Sequence, residues 1–243
     1  MITSVDNPRV KEVLRLRKAR ERRAAGLFVA EGPREVARAA AAGLTLRATY
    51  VAPSLIAWDD PHAEEVDERV LRKMSYRAEP EGVLAVVEIP ARTLPHDATL
   101  LLVAVGIEKP GNLGAMARTA DAAGADALLV GDARSDAWNP NAIRASTGAV
   151  FTLPILDVTA EETEALPQRK VAAVVGAHAL HTEPDYTHPT AFLIGAEDEG
   201  LPDAWRSIAD VHVEIPMHAR TADSLNASAA AAVLLYEAVR QRG

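Results

Sequence analysis

The sequence predicts an α/β protein in which helices cover both faces of a parallel sheet, with a small α/β domain in front of it. Two observations carry this expectation. From residue 98 onward, apolar runs of strand length alternate with helical segments, and a chain of such units builds a parallel sheet covered on both sides. Ahead of them, Pro90-Ala-Arg-Thr-Leu-Pro-His-Asp97 holds two prolines and no hydrophobic period, which marks a boundary. The expected domains are therefore residues 1–92 and 98–243.

In the first domain, Asn7-Pro8 opens a helix that runs to Arg23, with Val10, Val13, Leu14 and Arg17 on one stripe. Lys11, Arg15, Lys18, Arg22 and Arg23 occupy its other faces. Gly26 stops this helix, and residues 27–31 read as a strand. Gly32-Pro33 starts an alanine-rich helix that Gly43 closes. A strand over 46–52, a helix over 66–73 and a valine-rich strand over 83–89 complete the unit. In the second domain the pattern places strands at 100–105, 127–130, 150–153, 171–175, 191–194 and 211–215. Helices are expected at 113–123, 140–146, 160–166, 202–208 and 229–240.

With 243 residues, 49% of them apolar, the chain can bury a large core. It has no cysteine, which excludes disulfides and thiolate metal sites. No leader pattern opens the sequence, and no apolar run approaches the roughly 20 residues that span a bilayer, so a cytoplasmic protein without a membrane partner is expected. The net charge of −8 is unevenly spread: residues 1–47 carry 11 Lys/Arg against 5 Asp/Glu, leaving 15 against 29 in the remainder. A basic end on an acidic body suits a polyanion held by one part and different chemistry in the other; a solvated basic helix is the plainer alternative.

Ligands of open parallel sheets bind beyond the carboxyl ends of the strands. Three loops there stand out. Gly106-Ile-Glu-Lys-Pro-Gly-Asn-Leu-Gly114 is rich in glycine, yet it is neither a Walker phosphate loop nor a dinucleotide fingerprint. Asn112 reads most simply as a helix cap. Arg118 lies among alanines, about 9 Å further along the helix axis, where a buried guanidinium would need a carboxylate or a phosphate. The second loop, Gly195-Ala-Glu-Asp-Glu-Gly200, sets three carboxylates between glycines that would let a flat ligand approach the backbone. Sequence neighbours rarely converge on one ion, so no metal is expected there. The third, Ile215 to Ser228, places Ser224 and Asn226 where a strand has ended and the last helix begins, with free backbone amides. His178, His181 and His188 lack the company of a zinc site. Ser224 with Asp223 and His218 lacks a nucleophile elbow.

Taken together, Pro110-Gly-Asn-Leu-Gly-Ala-Met-Ala-Arg-Thr-Ala120, Ile194-Gly-Ala-Glu-Asp-Glu-Gly-Leu201 and Ile215-Pro-Met with Ser224-Leu-Asn-Ala-Ser228 resemble the three motifs of the SpoU/TrmH branch of the SPOUT RNA methyltransferases. Arg144-Ala-Ser-Thr-Gly-Ala149 resembles the stretch found between the first two. The N-terminal Ile2-Thr-Ser with Asn7-Pro8, Val10-Lys11 and Phe28-Val-Ala-Glu-Gly32 resembles the ribosomal-protein-like substrate-binding domain that many members carry.

The resemblance implies transfer of a methyl group from S-adenosylmethionine to a ribose 2′-hydroxyl of RNA, with rRNA favoured over tRNA. It also implies a C-terminal trefoil knot and a homodimer with active sites at the subunit interface. It assigns Asn112, Arg118, Glu197, Ser224 and Asn226 to the polar catalytic set, and Gly195, Ile215, Met217 and Leu225 to the cofactor. Arg20 on the basic first helix and Arg144 are expected to meet RNA. Arg118 would orient or deprotonate the ribose hydroxyl, and since guanidinium groups hold their proton at working pH, positioning is at least as good a role. One departure is visible: Ile215 and Leu225 are ten steps apart, one more than usual, and Ala219 stands where a glycine is common. The rival readings are a tRNA 2′-O-methyltransferase, a non-catalytic RNA-binding protein of the same fold, and a generic nucleotide-binding α/β enzyme.

Overall fold

The computed structural model describes every residue except Ala219, Arg220 and Ala222, so the substitution of alanine for glycine at 219 lies outside the described residues. In chain order the elements are α1 (Pro8–Arg15), α2 (Ala19–Ala25), β1 (Leu27–Glu31), α3 (Pro33–Ala41), β2 (Leu46–Val51), β3 (Glu64–Glu65), α4 (Glu68–Met74), β4 (Val83–Glu88), β5 (Leu100–Val105), α5 (Pro110–Ala122) and β6 (Ala127–Gly131). There follow α6 (Pro140–Ser146), a 3-10 turn (Ala149–Phe151), β7 (Ile155–Val158), α7 (Ala160–Glu164), β8 (Arg169–Ala173), β9 (Ala179–Leu180), β10 (Thr190–Ile194), α8 (Asp203–Ser207), β11 (Val211–Glu214) and α9 (Ala227–Arg242). The chain forms two compact units, Met1–Ala91 with Trp138–Thr152, and Arg92–Ala137 with Leu153–Gly243.

In the first unit the sheet order is β1-β4-β2-β3, with β4 antiparallel to both its neighbours. One face of this sheet closes on α1 and α4 through Val10, Val13, Val29, Val70, Leu71, Met74 and Leu84. Phe28 stacks on Trp138 at 4.8 Å and on Phe151 at 5.8 Å, which draws residues 138–152 into this unit. That aromatic packing explains why 149–151 is a 3-10 turn and not the start of the strand its apolar sequence suggests. Thr147 and Gly148 adopt positive φ, end α6 and turn Phe151 inward.

The single helix expected over residues 9–23 is broken. Leu16 turns into the core at 4% exposure, and the exposed Arg17 reaches across to the carbonyls of Lys73 and Ser75, at 2.9 and 2.6 Å. Arg22, expected on the basic surface, is 1% exposed and donates to the carbonyls of Leu16 and Arg17 that the break releases, at 2.7 and 2.9 Å. Helix propensity is high throughout this stretch, so packing and these long-range hydrogen bonds decide its course.

The second unit bears out the parallel sheet. Seven strands lie in the order β7-β6-β5-β10-β8-β11-β9, and every pair is parallel. Leu101, Val103, Val105, Leu129 and Leu193 face Trp205 of α8, with Ala160 and Leu166 packed against the same cluster. Helix α5 packs on β5 and β6, α9 packs on β10, and the two helices lie against each other. A Cβ at Gly131 would overlap the Trp205 ring, whose Nε1 donates to Asp132 Oδ2 at 2.7 Å. Glycine at the end of β6 is thus what admits the indole. Among the described residues no helix is long and apolar enough to cross a membrane.

Candidate active site

The chain runs from β5 outward to β6 and β7, then returns to build the other half of the sheet through β8 and β10, leaving β5 and β10 as neighbours. The strand order therefore reverses at this pair, and the crevice beyond its carboxyl ends is where a parallel sheet offers a ligand site. Gly106, at φ +65°, turns the chain out of β5, and Gly195 leaves β10.

Helix α5 starts at Pro110, three residues earlier than its hydrophobic pattern suggests, because proline suits the first helical turn. Lys109 is the cap, so Asn112 is not the helix cap and its side chain is free for another partner. That partner is Glu197: Asn112 Nδ2 donates to Oε1 of Glu197 in the loop after β10. Asn226 Nδ2 donates to the same oxygen at 3.1 Å, while its own Oδ1 accepts from Ser228 N at 3.0 Å and caps α9. One carboxylate oxygen in the loop after β10 thus joins the first turn of α5 to the start of α9.

Beside this junction lies a pocket of about 730 Å³. Its lining includes Gly195, Ile215, Met217 and Leu225, the four residues expected to hold the cofactor, together with Glu197 and Ser224. Gly195 answers first to the loop itself. A Cβ there would strike the backbone of Gly200 and Leu201, because Ala196 and Gly200 are bridged, with Gly200 N on Ala196 O at 2.9 Å. The three adjacent carboxylates diverge: Glu197 takes the two asparagines, and Glu199 pairs with Arg134 at 2.7 Å. Among the described residues no cluster of three or more His, Asp or Glu is gathered as for a metal ion.

Arg118 is exposed, with no ion-pair or hydrogen-bond partner among the described residues, so its alanine neighbours do not bury it and no internal carboxylate is required. Ser224, Leu225 and Asn226 are exposed on the loop before α9. Arg20, on α2, and Arg144, on α6, are exposed in the first unit, where Arg144 donates to Asn141 Oδ1 at 2.7 Å. Two contributors escaped the sequence reading. The turn after β8 enters the pocket with Val174 and Gly176, whose amide donates to Glu214 Oε2 at 3.0 Å. The rule that ligands gather at strand carboxyl ends would have pointed there. Arg134, after β6, bridges Glu199 and, at 2.9 Å, Glu108, clamping the loops after β5 and β10, and its hydrogen bonds to these two carboxylates raise its pKa. Nothing in its local sequence marks it.

The SpoU rRNA Methylase family model matches residues 99–236, and that of the MRM3-like substrate binding domain matches residues 7–85. The chain is 40% identical over 177 residues to a 23S rRNA (uridine(2479)-2′-O)-methyltransferase of Streptomyces viridochromogenes, a match that covers 67% of this chain and 61% of that protein. Among solved structures, it resembles an RNA 2′-O ribose methyltransferase at 43% identity and TM-score 0.83, over 99% of this chain and 98% of the other. It also resembles the SpoU methyltransferase AviRb of S. viridochromogenes in complex with AdoMet, at 32% identity and TM-score 0.86, over 97% and 98%. The first of these family models runs through more than half of the chain, on the same strands and loops that build the pocket, and the chain belongs to the SpoU rRNA methylase family.

Proposed function

We propose that this protein transfers a methyl group from S-adenosylmethionine to the 2′-hydroxyl of a ribose in ribosomal RNA. The observation that carries the reading is the single carboxylate oxygen of Glu197 on which Asn112 and Asn226 converge, beside the pocket. The 23S rRNA named for the Streptomyces relative favours rRNA over tRNA.

The pocket fits the cofactor. Its volume is in the range of small-molecule sites, and Ile194, Leu201, Ile215, Met217 and Leu225 offer an apolar wall for an adenine ring. Glu197, Asp198 and Asp223 also line it, and carboxylates in a cleft favour a cationic ligand. Gly195, Ile215, Met217 and Leu225 would hold it. When bound, S-adenosylmethionine supplies a methyl group on a positively charged sulfur that leaves neutral.

The protein's own task is alignment, since in-line attack by the hydroxyl oxygen depends on orientation. Asn226 and Ser224 fix the position of the reacting groups, and Glu197 braces the loops that carry them. Arg118, exposed and without a partner among the described residues, orients the ribose hydroxyl together with an RNA phosphate, and that phosphate takes the hydroxyl proton as the new oxygen–carbon bond forms and the sulfur–carbon bond breaks. Residues 1–92 select the RNA through Arg20, Arg144 of α6 adds a second contact to its phosphates, and the remainder of residues 98–243 catalyses.

The active unit is a homodimer. Helix α9 is apolar around most of its circumference, which suits a helix covered on both sides, yet Tyr236 stands 50% exposed on it. The C-terminal segment is threaded as the trefoil knot of the family, and the protein works in the cytoplasm with its ribosomal substrate.

The test is transfer of labelled methyl from S-adenosylmethionine to rRNA and tRNA pools that lack their own methylation, followed by nucleoside analysis. A 2′-O-methyl nucleoside in rRNA, lost in Arg118→Ala while cofactor affinity persists, is the expected result. Label in tRNA alone would replace the substrate, and cofactor binding without transfer to either pool would favour a binding protein.

A further inference from the structure

Tyr76 is an exposed aromatic residue of the first unit, carried on a segment whose backbone is closely tied to the core. The segment that carries it is tightly held. Glu31, 6% exposed at the end of β1, accepts from Ser75 Oγ, from Tyr76 N at 2.9 Å and from Arg77 N at 3.2 Å. Arg77 in turn pairs with Glu81 and, at 3.6 Å, with Glu35. A buried carboxylate that takes three donors from consecutive residues leaves the backbone there little freedom.

Yet the Tyr76 ring is 42% exposed, and its hydroxyl has no partner among the described residues. On one side it meets Arg17, whose guanidinium carbon lies 5.8 Å from the ring centroid. That guanidinium is itself fixed, on the carbonyls of Lys73 and Ser75. The result is an aromatic ring on a closely held backbone with a fixed cation against it, where the basic turn between α1 and α2 meets the end of α4. An aromatic ring left in water forgoes the gain of burial.

We propose that Tyr76, with Arg17 beside it, is a stacking site for one unpaired base of the RNA substrate. Unpaired bases are recognised by stacking on aromatic rings and guanidinium planes, and a platform ordered before binding loses less freedom when the base arrives. The basic residues Arg17, Lys18 and Arg20 on one segment and Lys73 on the other supply the field that draws a polyanion to this place. The inference rests on the reading of the chain as an RNA methyltransferase and names a contact within its first domain.

The experiment measures binding of the full-length protein to unmodified 23S rRNA transcript and to a fully paired RNA duplex of mixed sequence, over a range of salt concentrations. Tyr76→Ala weakens binding to the transcript about ten-fold, Tyr76→Phe binds as the parent does, and neither changes binding to the duplex. Stacking releases no counterions, so the loss in Tyr76→Ala is the same at every salt concentration and the slope is unaltered. Equal affinity of Tyr76→Ala and parent for the transcript overturns the stacking site and leaves the RNA reading standing. A parent protein that binds neither RNA overturns both. A change in oligomeric state on sedimentation of Tyr76→Ala overturns it also, since the ring is then part of an interface between copies.

Discussion

The side-chain amide of Asn226 lies 3.1 Å from Oε1 of Glu197, tying the first residue before the last helix to the loop that leaves the central strand β10. Asn112 donates to that same oxygen. The carboxylate is therefore a common brace for two asparagines that enter from opposite ends of the domain's sequence. Its loss should be felt by both.

Glu197→Ala is expected to lower single-turnover methyl transfer about 100-fold, and Asn112→Ala and Asn226→Ala about ten-fold each, the scale on which positioned polar groups act. Because the asparagines share one acceptor, the double variant Asn112→Ala/Asn226→Ala should lose far less than the product of the single losses. Strictly multiplicative losses would show that the two residues act independently. Asn226→Ala also removes a helix cap, at a cost of about 1 kcal/mol, which its melting temperature reports separately.

Gly195→Ala tests whether the pocket depends on the closed turn 196–200. The added methyl meets backbone atoms of Gly200 and Leu201, which cannot rotate away as a side chain would. The turn must shift, at a cost of about 1–3 kcal/mol typical of overpacking, and carry Glu197 with it. Cofactor affinity measured by calorimetry should fall at least about ten-fold while circular dichroism shows the fold retained. Parent-like affinity would mean that the turn adjusts without disturbing the pocket.

How far the sequence disclosed this site depends on where each signal lies. Strand ends followed by glycine, asparagine and serine are local patterns, so the loops at 106–114, 195–200 and 215–228 were visible in advance, as was the parallel sheet that gathers them. The partner of Asn112 was not, because a helix start reads as a cap until the proline two residues before it is seen to begin the helix. The break at Leu16 was hidden for a different reason: nothing in residues 9–23 disfavours a helix, and only Lys73 and Ser75, far along the chain, draw Arg17 away. Strand β8 lies two residues earlier than its valines suggest, because Asp210 binds the amide of Lys170 at 2.7 Å and Gln168 binds the carbonyl of Ala98 at 2.6 Å. Long-range hydrogen bonds of this kind leave no trace in local periodicity.

The broken first helix separates two arginines that the sequence alone groups together. Arg22 donates to two carbonyls at 1% exposure, so Arg22→Ala should cost about 2–4 kcal/mol in urea denaturation, the scale for stranding buried acceptors. Arg20 is exposed, and Arg20→Glu should leave stability within about 0.5 kcal/mol. RNA binding should respond in the reverse sense: Arg20→Glu reduces the steepness of its salt dependence by about one unit in the logarithmic slope. An unchanged slope would remove α2 from the RNA surface.

The end of α9 offers a test by pH. Arg240 donates twice to Glu237, at 2.8 and 2.7 Å, and Gln241 once at 2.8 Å; these bonds hold the Glu237 carboxyl at about 2, well below the usual carboxylate range. Gln241 also accepts from Tyr186 N, and Arg242 donates to Tyr186 O, so the helix end fastens the segment that leads into β10. The folded state keeps Glu237 ionised where the unfolded chain would already take a proton. Its contribution is complete above the unfolded value and drains away as pH falls from about 4.5 toward about 2. Glu237→Gln should therefore be less stable than the parent by a constant margin near neutral pH. Urea denaturation from about pH 6 down to about pH 3 should show that margin narrowing as the acid range is entered. A margin that stays constant over the whole range would mean that the helix end draws its stability from packing, with the ionised carboxylate contributing nothing.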